Sequence, residues 1–203
     1  MHWLDFLFPP RVDEIAVRDI SNDDFLALVN PQLVPYTRPS TVILLPFSDA
    51  RVRTAIHEAK YRGNKRAFEL LALALVEYLR DADDVERPRR SFIVPVPLGK
   101  ARMKERGYNQ AEEIAKFVAK ELGIEIKTDL LIRTRETKSQ VSLQREEREK
   151  NMCGAFKTTQ SANPAHTYIV IDDVITTGAT LQAAVDVLKE VGAEHIIPLA
   201  LAH

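Results

Sequence analysis

The stretch Tyr168–Leu181, YIVIDDVITTGATL, decides the fold because it joins a strand, a loop and a helix. Its apolar start has almost no polar alternation, which is typical of a parallel strand covered on both faces. The strand ends on two adjacent acids, Asp172 and Asp173, and the helix that begins near Thr180 stops at Gly192. Ligands of parallel α/β sheets bind beyond the carboxyl ends of the strands, so the acids and the loop lie where a ligand is expected.

The rest of the chain repeats this alternation of strands and helices. Strands are predicted at 41–47, 91–96, 130–132, 167–172 and 195–202, and helices at 50–61, 64–84, 111–122 and 180–191. The pattern predicts an α/β fold with a parallel sheet flanked by helices and right-handed crossovers. Residues 41–203 are expected to form one domain, and residues 1–40 an irregular N-terminal segment in which Asn22 caps a short helix.

The overall charge argues against a simple electrostatic attraction to nucleic acid, because the 203 residues have a net charge of -1. Two local runs are nevertheless basic. Residues 51–66 contain six lysines and arginines against one acid, and residues 100–106 contain four against one. Such runs form either a local anion site or solvated helix faces, and the sequence leaves both open.

Cysteine content and hydropathy indicate a protein of the reducing cytosol. A single cysteine, Cys153, excludes an internal disulfide framework and any zinc site built on several cysteines of this chain. The apolar start of the chain is interrupted by Asp5 and ends at two prolines, and the apolar segment 69–79 is flanked by charge. Neither is expected to be a signal peptide or a membrane span, so we expect a cytoplasmic protein without membrane insertion.

The loop after the strand has the composition of a phosphate site. Five residues bridge the strand end and the helix start: Thr176, Thr177, Gly178, Ala179 and Thr180. The first amides of a helix have no internal partner and lie at the positive end of its dipole, so a phosphate suits this place without a lysine. Glycine lets the backbone approach the anion or adopt a positive φ, and the threonines add hydroxyl donors.

The two acids would repel that phosphate and therefore suit a different part of a ligand. Asp172 and Asp173 can accept hydrogen bonds from vicinal hydroxyls, or bind Mg²⁺. A phosphate at one end and a diol at the other describe a ribose 5-phosphate, while an ordinary capped turn is the alternative. The sequence contains no P-loop and no G-x-G-x-x-G loop, and His57-Glu58 is followed by Tyr61 where a zinc helix needs its second histidine.

The same motif carries a resemblance to a known family. VIDDVITTGAT (170–180) resembles the phosphoribosyl-diphosphate motif of type I phosphoribosyltransferases. FIVPVPLGKARMKERGYNQAEEIA, LIRTRETKSQVSLQREEREKNMCGAF, AIHEAKYRGNK and LDFLFPPR look like the ComF branch of that family, which is associated with competence and DNA uptake in bacteria. The resemblance covers nearly all of 41–203 and implies a type I phosphoribosyltransferase fold with an N-terminal helical or hood region.

One departure concerns metal binding. ComF relatives usually follow the FPPR stretch with two cysteine pairs that bind zinc, whereas this chain has VDEIAVRDISNDDFL there, without cysteine or histidine. We therefore expect the zinc module to be absent or replaced and the chain to bind no zinc, and we expect Mg²⁺ to be the metal cofactor that the resemblance implies.

The resemblance also implies a ligand and roles for individual residues. The ligand would be 5-phosphoribosyl 1-diphosphate, with Asp172 and Asp173 on the ribose hydroxyls as catalytic residues and Mg²⁺ ligands, and 176–180 around the 5-phosphate. The diphosphate loop would lie between the first core strand and residue 109, with Lys100, Arg102, Lys104, Arg106 and Gly107 as its available groups. The mobile hood loop would be 133–151, containing Arg133, Arg135, Gln140, Arg145, Arg148 and Asn151, with a surface helix as the alternative.

Two functions from different classes fit these residues equally. The first is an enzyme that transfers the phosphoribosyl group to a nitrogen nucleophile with Mg²⁺. The second is a binding module that senses phosphoribosyl diphosphate, or assists single-stranded DNA import with the DNA-uptake machinery, without turnover. The basic run 51–66, with Tyr61 between two cations, could contact single-stranded nucleic acid or could form an ordinary helix face.

Overall fold

The computed structural model describes residues 11–81, 90–135, 152 and 154–203. In chain order the elements are α1 (Val12–Asp19), α2 (Asn22–Leu26), β1 (Gln32–Val34), β2 (Thr41–Leu45), α3 (Ala50–Arg62), α4 (Lys65–Asp81), β3 (Ser91–Pro95), α5 (Lys100–Arg106), α6 (Gln110–Leu122), β4 (Glu125–Ile126), β5 (Leu131–Arg133), β6 (Phe156–Thr158), β7 (Thr167–Val174), α7 (Ala179–Glu190) and β8 (His195–Ala202). None of the helices in these ranges combines the length and the apolar character needed to cross a membrane.

Six strands form the main sheet in the order β1-β2-β8-β7-β3-β4. Only β1 runs antiparallel to its neighbour, and β5 and β6 form a separate antiparallel pair. The β7 strand lies between β8 and β3, so its backbone is paired along both edges. The predicted α/β fold with a mostly parallel sheet is confirmed, and the motif strand occupies the middle of the sheet.

Helices cover both faces of β7 and separate its side chains into two groups. Ile169 and Ile171 pack in a core with residues of α3, α4 and α6, which we call the α3 face. Val170 packs in a second core with residues of α7 and of β5 and β6, which we call the α7 face. Because side chains alternate along a strand, Asp173 points to the α3 face and Asp172 to the α7 face.

The N-terminal segment is integrated into these layers. Val17 of α1 and Phe25 of α2 are fully buried in the core of the α3 face, and β1 extends the sheet by pairing with β2. The sequence did not predict α1 or β1. The predicted cap at Asn22 is wrong by one residue, because the hydroxyl of Ser21 accepts the amide of Asp24 and Asn22 is already helical. The domain boundary between residues 40 and 41 stays a prediction.

Helix α5 and the short strands β4 and β6 were not predicted from the sequence. Residues 100–106 form helix α5 between Gly99 and Gly107, where a diphosphate loop was expected. Its sequence KARMKER has too few apolar residues to show a helical period, so packing patterns could not reveal it. The short strand β6 pairs with β5 and closes a hairpin whose Leu131 and Phe156 are buried on the α7 face.

Candidate functional site

The two acids at the end of β7 have different surroundings, starting with Asp173 on the α3 face. Its Oδ2 lies 2.9 Å from Lys60 Nζ of α3 and accepts a 3.0 Å hydrogen bond from Gln110 Nε2 of α6. Its Oδ1 accepts the amide of Val174 at 2.8 Å, and the residue is only 6% exposed. Burial alone would raise the pKa of this carboxyl, but the Lys60 ammonium and these hydrogen bonds lower it below its usual range. Asp173 is therefore a fixed, charged carboxylate.

Asp172 lies half-buried on the α7 face, and within the described ranges it forms no salt bridge with a lysine or arginine. Its Oδ1 accepts the amide of Asp173 at 2.9 Å. Burial, followed by the negative charge of Asp173, raises the pKa of Asp172 to about 7. A carboxyl with this pKa exchanges its proton near neutral pH. The two acids therefore differ. Asp173 is a permanent anion, whereas Asp172 can bind a cation or accept a hydrogen bond from a hydroxyl group.

The loop between β7 and α7 is held by backbone contacts. The amide of Ile175 donates to the carbonyl of Ala202 at 3.0 Å. Gly178 has φ +80°, and a Cβ there would lie 2.6 Å from the Tyr36 carbonyl oxygen and 2.8 Å from Tyr36 Cβ. Glycine is required at 178 for both reasons, the left-handed backbone and the close approach of Tyr36. The sequence predicted the need for glycine but attributed the close approach to an anion.

One polar side-chain atom of the loop is buried without a hydrogen-bond partner among the described residues, which a ligand or a water molecule could supply. The hydroxyl oxygen of Thr177 is buried and has no hydrogen-bond partner in the described part of the chain. A buried hydroxyl without a partner costs free energy, so such an atom requires an explanation. It precedes the first turn of α7, whose start at Gly178 has no side-chain cap. An anion at this helix start would meet backbone amides and a hydroxyl together.

A small cleft joins this helix start to one of the two acids. It is lined by Asp172, Val174, Ile175, Thr176, Gly178, Ala179, Thr180 and Leu181. The structure therefore brings Asp172 together with four of the predicted phosphate residues, whereas Thr177, whose hydroxyl is buried, is not among the lining residues. Asp173 is not among the lining residues, because its side chain lies on the opposite face of the sheet and is held by α3 and α6.

The cations of α5 do not form one cluster. Lys100 and Lys104 are exposed and share one side of the helix, whereas Arg102 and Arg106 are half-buried and share another. Arg106 donates to Gln110 Oε1 at 2.9 Å, and Gln110 in turn donates to Asp173. Arg106 is thus the one of these four that is linked by side-chain hydrogen bonds to the acid pair in the described structure. Gly107 ends the helix with φ +80°.

Tyr61 of α3 and Tyr108, which follows α5, connect these two helices, so the two basic runs lie close together. The Tyr108 hydroxyl donates to the Ala59 carbonyl and accepts the amide of Gly63, both at 2.7 Å. The Arg106 guanidinium lies 5.1 Å from the centroid of the half-exposed Tyr61 ring. Sequence reasoning gave Lys60, Gln110 and Tyr108 no role at the acid pair, and considered Lys60 only as part of a basic run that could contact single-stranded nucleic acid. The signal for Lys60 was its place in a basic run, but its partner is distant in sequence.

The predicted hood residues are only partly described. Arg133 lies in β5, where its guanidinium is 5.5 Å from the Phe156 ring centroid and donates weakly to Met152 Sδ at 3.8 Å. Arg135 follows at the end of the same described range. The remaining predictions, Gln140, Arg145, Arg148 and Asn151, lie outside the described residues. The structure places Arg133 on the α7 face of the sheet, beside the core of the β5–β6 hairpin.

Comparison with known proteins identifies the class. Residues 109–203, which include the whole of β7, its loop and α7, match the phosphoribosyl transferase domain family. Adenine phosphoribosyltransferase of Leishmania donovani superposes with a TM-score of 0.47 at 13% identity, covering 84% of this chain and 73% of that one. With the observed sheet and its helices, the family match makes this chain a member of the type I phosphoribosyltransferase superfamily.

Curated relatives then define the branch. Competence protein F of Haemophilus influenzae is 36% identical over 144 residues, which are 70% of this chain and 63% of the relative. The DNA utilization protein YhgH of Salmonella typhi is 31% identical over 139 residues, 68% of this chain and 61% of the relative. The chain belongs to the ComF family, and it spans a little over six-tenths of the length of these relatives.

Proposed function

We propose that the chain binds 5-phosphoribosyl 1-diphosphate with Mg²⁺ at the carboxyl end of β7. The observation that carries the proposal is the cleft in which Asp172 lies beside the uncapped start of α7, with the buried Thr177 hydroxyl in the same loop lacking a partner. A 5-phosphate in this cleft would meet the first amides of α7, and a rotation of the Thr177 side chain, which does not line the cleft, would let its hydroxyl join them. The ribose hydroxyls would donate to Asp172, whose pKa of about 7 lets it accept them as a carboxylate above neutral pH.

The acid pair fits Mg²⁺ through one of its members. Mg²⁺ keeps most of its waters and is usually bound by one or two carboxylates together with phosphate oxygens of the substrate. Asp172 can supply such a carboxylate, whereas both oxygens of Asp173 already accept hydrogen bonds and its Oδ2 is paired with Lys60. We therefore assign the metal role to Asp172 and give Asp173 the role of positioning the end of β7. Bound Mg²⁺ would neutralise charge on the diphosphate.

Transfer to a nitrogen nucleophile is the reaction we propose for this site. The anomeric carbon would lose diphosphate, and the work of the protein would be to position the sugar and to stabilise the departing charge. Arg106 is the cation of α5 that is linked to the acid pair through Gln110, so it is the best candidate for the diphosphate end. Gly178 holds the loop in the shape that the 5-phosphate requires.

Ligand-induced thermal stabilisation tests the binding proposal directly. Phosphoribosyl diphosphate with Mg²⁺, at about a hundred times its Kd, should stabilise the parent chain by about 2.7 kcal/mol. Asp172→Asn and Thr177→Val should each lose most of this shift, because the first removes the diol acceptor and the second the buried donor. Glu190→Gln, at the far end of α7, serves as the matched control and should keep it. Absence of a shift in the parent at saturating ligand would end the proposal.

Turnover is tested only after binding is established. Diphosphate release would be measured with a panel of purine and pyrimidine bases, with and without Mg²⁺. Release that depends on one base and disappears in Asp172→Asn supports the transferase. Tight binding with no release above the rate without protein, for any base, would favour a sensor of the diphosphate.

A second candidate function is binding of single-stranded DNA, and a specific surface favours it. Tyr61, half exposed on α3, carries the Arg106 guanidinium against its ring, so a base-stacking group and a cation lie together where the two basic runs meet. The relatives are named for competence and DNA utilization. Fluorescence anisotropy with a labelled oligonucleotide should show binding that weakens steeply with salt and falls in Tyr61→Ala. Binding that is insensitive to salt or unchanged in Tyr61→Ala would contradict it.

A further inference from the structure

A second group of ligand-type side chains lies away from the β7 site, where α1 crosses α3. Asp13 of α1 and His57 and Glu58 of α3 each place one donor atom so that all three atoms lie within 4.8 Å of one another. Asp13 and His57 are exposed to solvent, and Glu58 is fully buried. Nitrogen and oxygen donors at this spacing are within reach of a single cation, which would contact each at about 2.0–2.2 Å after small side-chain movements.

The buried carboxylate provides an independent sign of a ligand. Glu58 Oε2 accepts hydrogen bonds from Arg11 Nη2 at 2.9 Å and from Asn64 Nδ2 at 3.2 Å. Glu58 Oε1 is also buried, but it has no partner in the described part of the chain. A charged oxygen without water, hydrogen bond or cation is costly, more so than a neutral hydroxyl. A cation on Oε1 would remove this cost.

We propose that Asp13, His57 and Glu58 bind one divalent transition-metal cation of the Zn²⁺ class. A single imidazole with two carboxylates suits Zn²⁺ and its neighbours in the first transition row, whereas Mg²⁺ prefers oxygen ligands alone. Arg11 and Asn64 would then act as outer partners that orient Glu58 through its second oxygen, as hydrogen-bonding groups around metal ligands commonly do. Among the neighbouring cations, Arg11 is hydrogen-bonded to Glu58, and Arg62 and Lys65 line the same pocket together with Glu14. The carboxylates of Asp13 and Glu58 supply the negative charge that would hold the metal.

This site has a structural consequence that is separate from phosphoribosyl diphosphate. Its ligands come from two helices, so the metal would fasten α1, in the N-terminal segment, onto α3. The same helix α3 carries Lys60, which holds Asp173. Metal binding at one end of α3 would therefore stiffen the support of the acid pair without contacting the ligand. The proposal does not depend on the proposed function, because it concerns different residues.

Calorimetric titration of the untagged, chelator-treated chain tests the proposal. Zn²⁺ should bind with one equivalent per chain, Co²⁺ should bind at the same place, and Mg²⁺ should not compete. His57→Ala and Asp13→Asn should each weaken Zn²⁺ affinity at least about tenfold, in line with the loss of one ligand. Both side chains are exposed, so the variants should keep the parental circular dichroism spectrum.

Two controls separate this site from other histidines and from the β7 acids. His166→Ala removes an imidazole that packs against Phe92, away from the three proposed ligands, and should leave the affinity unchanged. Asp172→Asn/Asp173→Asn should also bind one equivalent of Zn²⁺. The proposal is overturned if the parent binds no stoichiometric Zn²⁺, or if either His57→Ala or Asp13→Asn, once folded, retains the parental affinity.

Discussion

The segments that follow β7 and β3 lie at the same edge of the sheet but are built in different ways. The loop after β7 contains no cationic side chain and is held by backbone contacts, between Ile175 and Ala202 and between Gly178 and Tyr36. The segment after β3 becomes helix α5 and carries four cations, two of them exposed. Substitutions that alter side-chain size should therefore have the larger effect in the loop after β7. Substitutions that remove a charge should have the larger effect in the segment after β3.

Alanine at two glycines with the same φ tests this difference, and here we expect the largest effect. Gly178→Ala should lower the free energy of unfolding by about 3 kcal/mol, since it adds left-handed strain of about 1 kcal/mol to a collision with the Tyr36 backbone. Gly107→Ala has the same φ of +80° but nothing within 4 Å of its Cβ, so it should lose only about 1 kcal/mol. Urea unfolding measures both, and equal losses would contradict the packing argument.

The next effect concerns Lys60, the cation that is paired with Asp173. Lys60→Met should destabilise the fold by about 2 kcal/mol, less than for a wholly buried pair because the Lys60 side chain is 23% exposed. Lys65→Met, at an 82% exposed lysine, should change stability by less than about 0.5 kcal/mol. Adding Asp173→Asn to Lys60→Met should recover part of the loss, because the unpaired charge is gone. A double variant as unstable as the single one would show that Lys60 acts by packing alone.

The dependence of stability on pH should reveal the other member of the acid pair. The pKa of Asp172 is raised to about 7 in the folded chain from an ordinary value of 3.8, so the folded state holds the proton more tightly. Stability should therefore fall as pH rises between these values, by on the order of 2 kcal/mol after allowing for partial exposure, and level off above them. The lowered pKa of Asp173 acts in the opposite sense, with stability lost only as pH falls below its ordinary value.

Asp172→Asn isolates this contribution from the titration of the histidines. The variant should lose the fall in stability that we assign to Asp172 and keep the rest of the profile. Urea unfolding of both chains at several pH values between about 4 and 8 gives the difference curve directly. A flat difference curve would mean that Asp172 titrates near its ordinary pKa.

The smallest predicted effect distinguishes the two sides of α5. Arg106→Ala should weaken binding of phosphoribosyl diphosphate about tenfold, or about 1.4 kcal/mol, because Arg106 is linked to the acid pair through Gln110. Lys104→Ala removes an exposed cation of the same helix and should change the affinity by less than about threefold. Equal losses would indicate long-range attraction by the whole basic run, and the loss would then shrink with added salt.

The fold could be predicted largely from the sequence because its main elements have strong patterns. The apolar run of β7, the glycine after α6 and the amphipathic face of α6 are visible locally, and the structure has these elements in place. The elements that were missed, α1, β1, α5, β4 and β6, have eight residues or fewer. Short elements take their conformation from tertiary contacts, which the sequence does not display.

The site was predictable in its residue types but not in its arrangement. The predicted strand ended at Asp172, whereas β7 continues to Val174, so Asp172 and Asp173 are adjacent strand residues that point to opposite faces. The pairing of Lys60 with Asp173 could not be foreseen, since it joins helix α3 to a strand more than a hundred residues away. The contact of Tyr36 with Gly178 could not be foreseen for the same reason, because these residues are also distant in sequence.

The contact between Tyr36 and Gly178 has a consequence for how this chain can be shortened or recombined. The carbonyl that shapes the start of α7 belongs to the first forty residues, so a chain truncated at residue 41 would lose one wall of its own loop. Grafting residues 41–203 onto another N-terminal segment should therefore alter affinity even when every ligand-contacting residue is retained. In this respect the N-terminal segment helps to set the backbone shape of the loop between β7 and α7.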